Sequence, residues 1–256
     1  MNKHSNPNFF SRYSWAGRLF GHFWATWALV SFVATFLLIF LPSMVSYLMP
    51  FRMGQAYFIF VSRIWMRTWL TLVGCPVRIR GYEHFVPGEA YVIVFNHNAF
   101  LDVPLSAPFV PGPNKTIAKD SFAKVPIFGF FYRRGSVLVN RNNEISRRRS
   151  YEQMRQVLAA GVHMCIYPEG TRNRSKEPLK PFYDGAFKLG QETGKSILPC
   201  VITGTRKAMP HDIPFVFYPT RLGMYFLPPV STAQESVESV KNQVFEQMKS
   251  TYMERS

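Results

Sequence analysis

Acidic residues are missing from the first third of this 256-residue chain. No Asp or Glu precedes Glu83, and between Arg18 and Arg52 there is no Lys, Arg, Asp or Glu at all. So long an uncharged stretch excludes an ordinary solvated arm. Within it, residues 23–41 (FWATWALVSFVATFLLIFL) form a run long enough as a helix to cross, or lie deep in, a hydrocarbon layer, which takes roughly 20 apolar residues. Cysteine is scarce as well. Cys75, Cys165 and Cys200 are scattered, form no metal spacing and cannot all pair, which excludes a disulfide scaffold and suits a reducing, cytoplasmic setting. There is no G-x-S-x-G elbow to carry a serine nucleophile. No ligand cluster calls for a metal. Internal repeats and low-complexity tracts are absent too.

Basic charge is what the chain has in excess. Thirty Lys and Arg against fifteen Asp and Glu give a formal net charge of +15. That balance suits an anionic partner, either nucleic acid or an acidic membrane surface. The apolar run decides for the membrane, since a soluble nucleic-acid binder has no use for it. Lys3, Arg12 and Arg18 imitate the basic start of a signal peptide. The run is too long for one and no small-residue cleavage site follows it, so a retained anchor is expected. A second segment, residues 55–73, places Arg63, Arg67 and Thr71 on one helical face, with Phe58, Trp65, Trp69 and Leu72 elsewhere. It reads as a basic amphipathic helix in the membrane interface, its tryptophans at headgroup depth; a core helix with two exposed arginines is the alternative. Positive charge flanks the apolar run on both sides, so the charges choose no orientation, and a hairpin returning to the same side is compatible with them.

From residue 76 the composition becomes that of an α/β domain. Apolar, β-branched runs at 77–79, 91–95, 136–139, 162–167 and 197–202 alternate with helical patterns at 146–160 and 185–192. This predicts a mostly parallel central sheet flanked by helices. MYFLPPV offers one more strand. Residues 231–256 read as an exposed helix, with Thr232 and Glu235 as its capping box. The expected division is an N-terminal membrane segment, 1–75, and a catalytic domain, 76–256.

Polar residues collect where the apolar runs end. YVIVFNHNAFLDVP (residues 91–104) leaves a buried run at Asn96-His97, and Asp102-Val103-Pro104 reads as a helix start. Ligands of parallel sheets gather beyond the carboxyl ends of the strands, and a loop folding back there lets His97 face Asp102. A carboxylate on one imidazole nitrogen leaves the other free as a general base. Alone, the pair is more often a structural histidine beside a helix cap. CIYPEGTRNRS changes that weighting, because Glu169, Gly170, Thr171 and Arg172 follow another run and offer backbone N–H donors and a guanidinium for phosphate. GSVLVNR ends a third run with Arg141, and ILPCVITG puts Pro199 inside a fourth. Together these ends suggest one site for an anionic substrate.

NHNAFLD, GSVLVNR, YPEGTRN and ILPCVITG resemble, in order and spacing, the four blocks of the glycerolipid acyltransferase family, whose type activity is 1-acyl-glycerol-3-phosphate acylation. The likeness covers about residues 80–210 and includes the linking phrases KVPIFGFFYRRG and LKPFYDGAFKLG. It implies acyl transfer from a thioester, acyl-CoA or acyl-carrier protein, to a lysophospholipid hydroxyl, giving phosphatidic acid. It implies His97 as base and Asp102 as its orienting carboxylate. Arg141, Glu169, Gly170, Thr171 and Arg172 would lie on the acceptor's glycerol phosphate, and Pro199 on the acyl-donor side. A thioester is already activated, so a base and aligned substrates suffice without cofactor or metal. The chain departs from the family pattern at Ala99 (for Ser), Asn140 (for an acid), Tyr167 (for Phe) and Asn173 (for Ser). The expected setting is a membrane surface with the catalytic domain on the cytoplasmic face. An acyltransferase for another lysolipid, such as a lyso-amino-acid lipid, and a non-catalytic basic membrane binder are the competing readings. GQETGKS is one residue short of a phosphate loop and stands between helix and strand in the wrong order. SRRRS is the start of a solvated helix or a contact for lipid headgroups. VPIFGFF is either a lipid contact or core.

Overall fold

The computed structural model describes residues 14–256; Lys3 and Arg12 of the basic leader lie outside them. Seven strands form one sheet: β1 (Val77–Arg80), β2 (Val92–Phe95), β3 (Asn114–Lys119), β4 (Ser136–Val139), β5 (His163–Ile166), β6 (Ile197–Thr203) and β7 (Leu222–Phe226). Their order is β1-β7-β6-β2-β5-β3-β4. Every pairing is parallel except β6 with β7. The uninterrupted apolar sequences VIVF and HMCI are explained by position: β2 and β5 are central and buried on both faces.

Eight helices cover the sheet: α1 (Trp15–Met44), α2 (Phe51–Leu72), α3 (Asp102–Phe109), α4 (Phe128–Gly135), α5 (Glu144–Ala159), α6 (Gly185–Thr193), α7 (Thr205–Ala208) and α8 (Val237–Arg255). Core residues of α1, α2 and α3 pack with Ile93, Phe95 and Leu198 on one face. Residues of α5, α6 and α8 pack with Val92, Val94 and Met164 on the other.

The tryptophans of α2 are not at headgroup depth. Trp65 and Trp69 are only 4% and 5% exposed. The Trp65 indole donates to Thr35 Oγ1 (2.9 Å) and that of Trp69 to the Ala28 carbonyl (3.0 Å). They fill the seam with α1, where buried Ala25 and Ala28 leave room for the rings. Arg63 likewise turns inward and donates to the Pro108 and Val110 carbonyls, capping the C-terminus of α3. The outward face of α1 is apolar and open, with Leu19, Phe23, Leu38 and Leu41 all exposed. Among the described residues, the stretch from α1 through Leu48 is the one helical run long and apolar enough to cross a membrane.

Two further expectations change. The capping box does not form: Ser236 caps α8 by accepting from Ser239 N (3.1 Å), while buried Thr232 donates toward the Gly190 and Lys195 carbonyls. Nor is α8 wholly exposed, because Val240, Val244 and Met248 at i, i+4, i+8 are buried against the sheet side. VPIFGFF divides between both readings. Phe128 and Phe131 join the aromatic core around Phe36, and Val125, Ile127 and Phe130 stay exposed. The three cysteines are buried and unpaired.

Candidate functional site

The parallel strands β2, β4, β5 and β6 deliver their following loops to one edge of the sheet. Asn96 fixes the first of these. Its side-chain amide bridges to β6, donating to the Ile202 carbonyl (2.9 Å) and accepting from Ile202 N (2.6 Å), as a further rung of the ladder would. The chain then turns, and Asp102, the first residue of α3, folds back over residues 97–99.

Asp102 is fully buried. Its Oδ2 accepts from Asn98 N (2.6 Å), Ala99 N (2.7 Å) and His97 Nδ1 (2.8 Å). It therefore caps the loop rather than its own helix, whose N-cap is Leu101. An oxygen that already accepts two backbone N–H bonds acts as acceptor toward the ring too. Nδ1 then carries the proton and Nε2 presents its lone pair. The His97 side chain is 17% exposed, and Nε2 has no hydrogen-bond partner among the described residues, so an outside hydroxyl can reach it. The Tyr167 ring packs on the imidazole at 4.5 Å between centroids. Its hydroxyl bonds Ser106 (2.7 Å), and burial holds its pKa well above the usual value.

The loop after β5 braces the same turn. Glu169 Oε1 accepts from His97 N (2.7 Å) and Oε2 from Lys180 N (3.0 Å), and Asn173 N donates to the His97 carbonyl (2.6 Å). Glu169 is 1% exposed. Burial pushes its carboxyl up to about 7 against the pull of those two N–H groups. With both oxygens committed to backbone, Glu169 holds the histidine loop and turns no oxygen outward. Gly170 lies at φ +70°, and an added Cβ would stand 2.8 Å from the Tyr183 ring. Arg141, beyond β4, donates to the Gly170 carbonyl. Arg172 stacks on Phe100, 3.6 Å from the ring centroid, and exposed Thr171 accepts from Lys180 Nζ (2.6 Å).

His97, Asp102, Arg141, Glu169, Gly170, Thr171 and Arg172 therefore share one loop cluster. Pro199 does not join it; it is buried within β6, level with Val94 of β2. Sequence reasoning passed over Arg206, on α7 just beyond β6. It donates to the Asn173 (2.7 Å) and Ser175 (3.0 Å) carbonyls and clamps the far end of the Glu169 loop. The strand-end argument that singled out Arg141 would have found it after the run ILPCVIT.

A family model described as Acyltransferase matches residues 76–203, half of the chain. A 1-acyl-sn-glycerol-3-phosphate acyltransferase of Chlamydomonas reinhardtii is 33% identical over 153 residues, covering 59% of this chain and 45% of that one. The alpha enzyme of that name from Mus musculus is 30% identical over 163 residues, 63% and 57% respectively. The chain thus spans about half the length of the curated relatives it matches. Among solved structures, the 1-acyl-sn-glycerophosphate acyltransferase PlsC of Thermotoga maritima has the same fold, with a TM-score of 0.77, 23% identity, and 93% and 96% of the two chains covered.

Proposed function

The chain belongs to the acyltransferase family, and from that membership we propose that it is an O-acyltransferase that esterifies the sn-2 hydroxyl of 1-acyl-glycerol-3-phosphate, giving phosphatidic acid. The observation that carries this reading is the His97–Asp102 pair, with Nδ1 held at 2.8 Å and Nε2 open. His97 Nε2 takes the proton of the acceptor hydroxyl as its oxygen attacks the thioester carbonyl. Asp102 stabilises the imidazolium that forms. The tetrahedral intermediate collapses with expulsion of the thiolate, which recovers a proton from the imidazolium. General-base help of this kind gives about 10²–10⁴-fold, and positioning supplies much of the rest. No step draws on a metal or cofactor.

Arg141, held on the Gly170 carbonyl, and Arg172, two residues further along, supply charge for the acceptor phosphate, and Gly170 lets the backbone come close to it. The donor is an acyl thioester of CoA or of acyl-carrier protein, both acidic and suited to a basic protein. The exposed apolar face of α1 supports membrane association, with the catalytic domain on the cytoplasmic side, where a one-chain acceptor is at hand. The test is transfer from a labelled thioester in detergent micelles, supplying acyl-CoA and acyl-carrier protein in turn, with product identification. Labelled phosphatidic acid from 1-acyl-glycerol-3-phosphate is expected. Acylation of other lysolipids in its place would overturn the acceptor assignment.

A further inference from the structure

Asn98, the neighbour of His97, is held by two residues that lie outside the stretch matched to the family. Its side chain is buried, only 4% exposed. The carboxamide oxygen accepts from Arg206 Nη2 and the amide nitrogen donates to the Tyr252 hydroxyl, both at 3.4 Å. Chemistry fixes this orientation. A guanidinium only donates, so Oδ1 faces Arg206, and the phenol oxygen is the acceptor left for Nδ2. Arg206 belongs to α7 and Tyr252 to α8, whereas the family match ends at residue 203.

Both arms are anchored. Arg206 reaches Asn98 with the same Nη2 that donates to the Asn173 carbonyl (2.7 Å). Tyr252 continues the stripe of α8 that buries Val240, Val244 and Met248 at i, i+4, i+8. Its ring packs on that core, and its polar tip reaches the loop. Three residues on, Arg255 lies over the Tyr225 ring (5.6 Å) and ties the last turn of α8 to β7. Burial raises the Tyr252 pKa, Arg206 opposes the rise, and the Asp102 and Glu169 carboxylates add to it. The hydroxyl is thus within electrostatic reach of both buried acids of the site and keeps its proton at neutral pH.

The backbone of Asn98 makes the contact consequential. Asn98 N is the shortest of the three donors to Asp102 Oδ2, at 2.6 Å, so a tilt of Asn98 moves the carboxylate that orients His97. We propose that Tyr252 is a positioning residue for the reaction: through Asn98 it steadies the Asp102 carboxylate, and with it His97, while Arg206 acts as the opposing arm. Contacts of 3.4 Å are long for hydrogen bonds, so the brace tunes the rate and does not decide whether the reaction occurs.

The inference rests on the acyltransferase reading for its kinetic arm alone, and a second readout needs no turnover. Hydrogen exchange followed by mass spectrometry reports the Asn98 and Ala99 amides, both bonded to Asp102. Tyr252→Phe keeps the ring and removes the acceptor. It should speed exchange across residues 97–102 and lower kcat, each about three- to tenfold, with the acceptor KM unchanged. Val244→Ala is the control for a loosened α8: its unfolding temperature should fall while kcat and the 97–102 exchange stay at wild-type values. Asn98→Ala should lower kcat too, and adding Tyr252→Phe to it should change nothing further, because the hydroxyl then has nothing to hold. Wild-type kcat and exchange in Tyr252→Phe, multiplying losses in the double variant, or an equal kcat loss in Val244→Ala would overturn the brace. Any of these in a protein that transfers acyl groups spares the acyltransferase reading. Faster 97–102 exchange in Tyr252→Phe but not in Val244→Ala, in a protein that transfers nothing, would keep the brace and overturn that reading.

Discussion

Asp102 combines a structural and a chemical duty in one oxygen, and two substitutions separate them. In Asp102→Asn the amide oxygen can occupy the place of Oδ2 and still accept from Asn98 N, Ala99 N and His97 Nδ1. The loop and the tautomer persist while the negative charge goes. Exchanging a charged for a neutral hydrogen bond to the imidazolium costs about 1–2 kcal/mol. The full Coulomb interaction at about 4 Å and an effective dielectric of about 20 is about 4 kcal/mol. The turnover rate should therefore fall between about tenfold and 10³-fold, with the acceptor KM little changed. Asp102→Ala instead leaves two backbone N–H groups unpartnered in a buried site, at about 1–3 kcal/mol each. Steady-state acyl transfer and denaturant unfolding of both variants provide the assay. The reasoning fails if the Asn variant turns over at the wild-type rate, or if the Ala variant matches wild type in stability.

Glu169 should behave as a brace. Glu169→Gln turns an amide N–H toward one of the two backbone donors it now satisfies, so kcat should drop by at least about tenfold with the acceptor KM nearly constant; a change in KM alone would mark it as a substrate ligand. Buried His163, its Nδ1 accepting from Tyr91 N (3.0 Å), is lowered by burial from the usual 6.5 to about 4. The unfolded chain takes up this proton first as the pH falls, so stability from neutral His163 is present above 6.5 and lost on the way down to 4. The stability advantage of wild type over His163→Gln should accordingly shrink by about 3 kcal/mol between those limits, and a constant difference would contradict the assignment. Trp69→Ala should cost about 3–5 kcal/mol in thermal unfolding, whereas a tryptophan at headgroup depth would weaken vesicle binding and leave stability alone.

The site was legible in the sequence because chemistry and position coincide there. Apolar strands that stop abruptly at polar residues mark the carboxyl edge of a parallel sheet, and His97, Asp102, Glu169 and Arg172 are the residues standing at those stops. β3 was not legible. NKTIAK carries Lys115 and Lys119 and has no apolar run, because it lies toward the edge of the sheet, paired with β4 and only partly buried. Trp65 and Trp69 were misjudged for a different reason: periodicity reports that a helical face is apolar and cannot say whether protein or lipid covers it. Thr232 and Ser236 offer the same cap chemistry, and the choice between them depends on where α8 meets the sheet. Arg206 stands at a strand end like the others, but only threonines and a second cation accompany it there, with no histidine or carboxylate.

Whether His97 is the base is decided by comparing acyl transfer to 1-acyl-glycerol-3-phosphate by wild type and His97→Ala under identical micellar conditions, with thermal unfolding as the control for folding. Transfer by the wild type with a loss of about 10²–10⁴-fold in a folded variant is the predicted result. Equal rates from the two proteins would show that the pair with Asp102 is structural and that the mechanism is wrong.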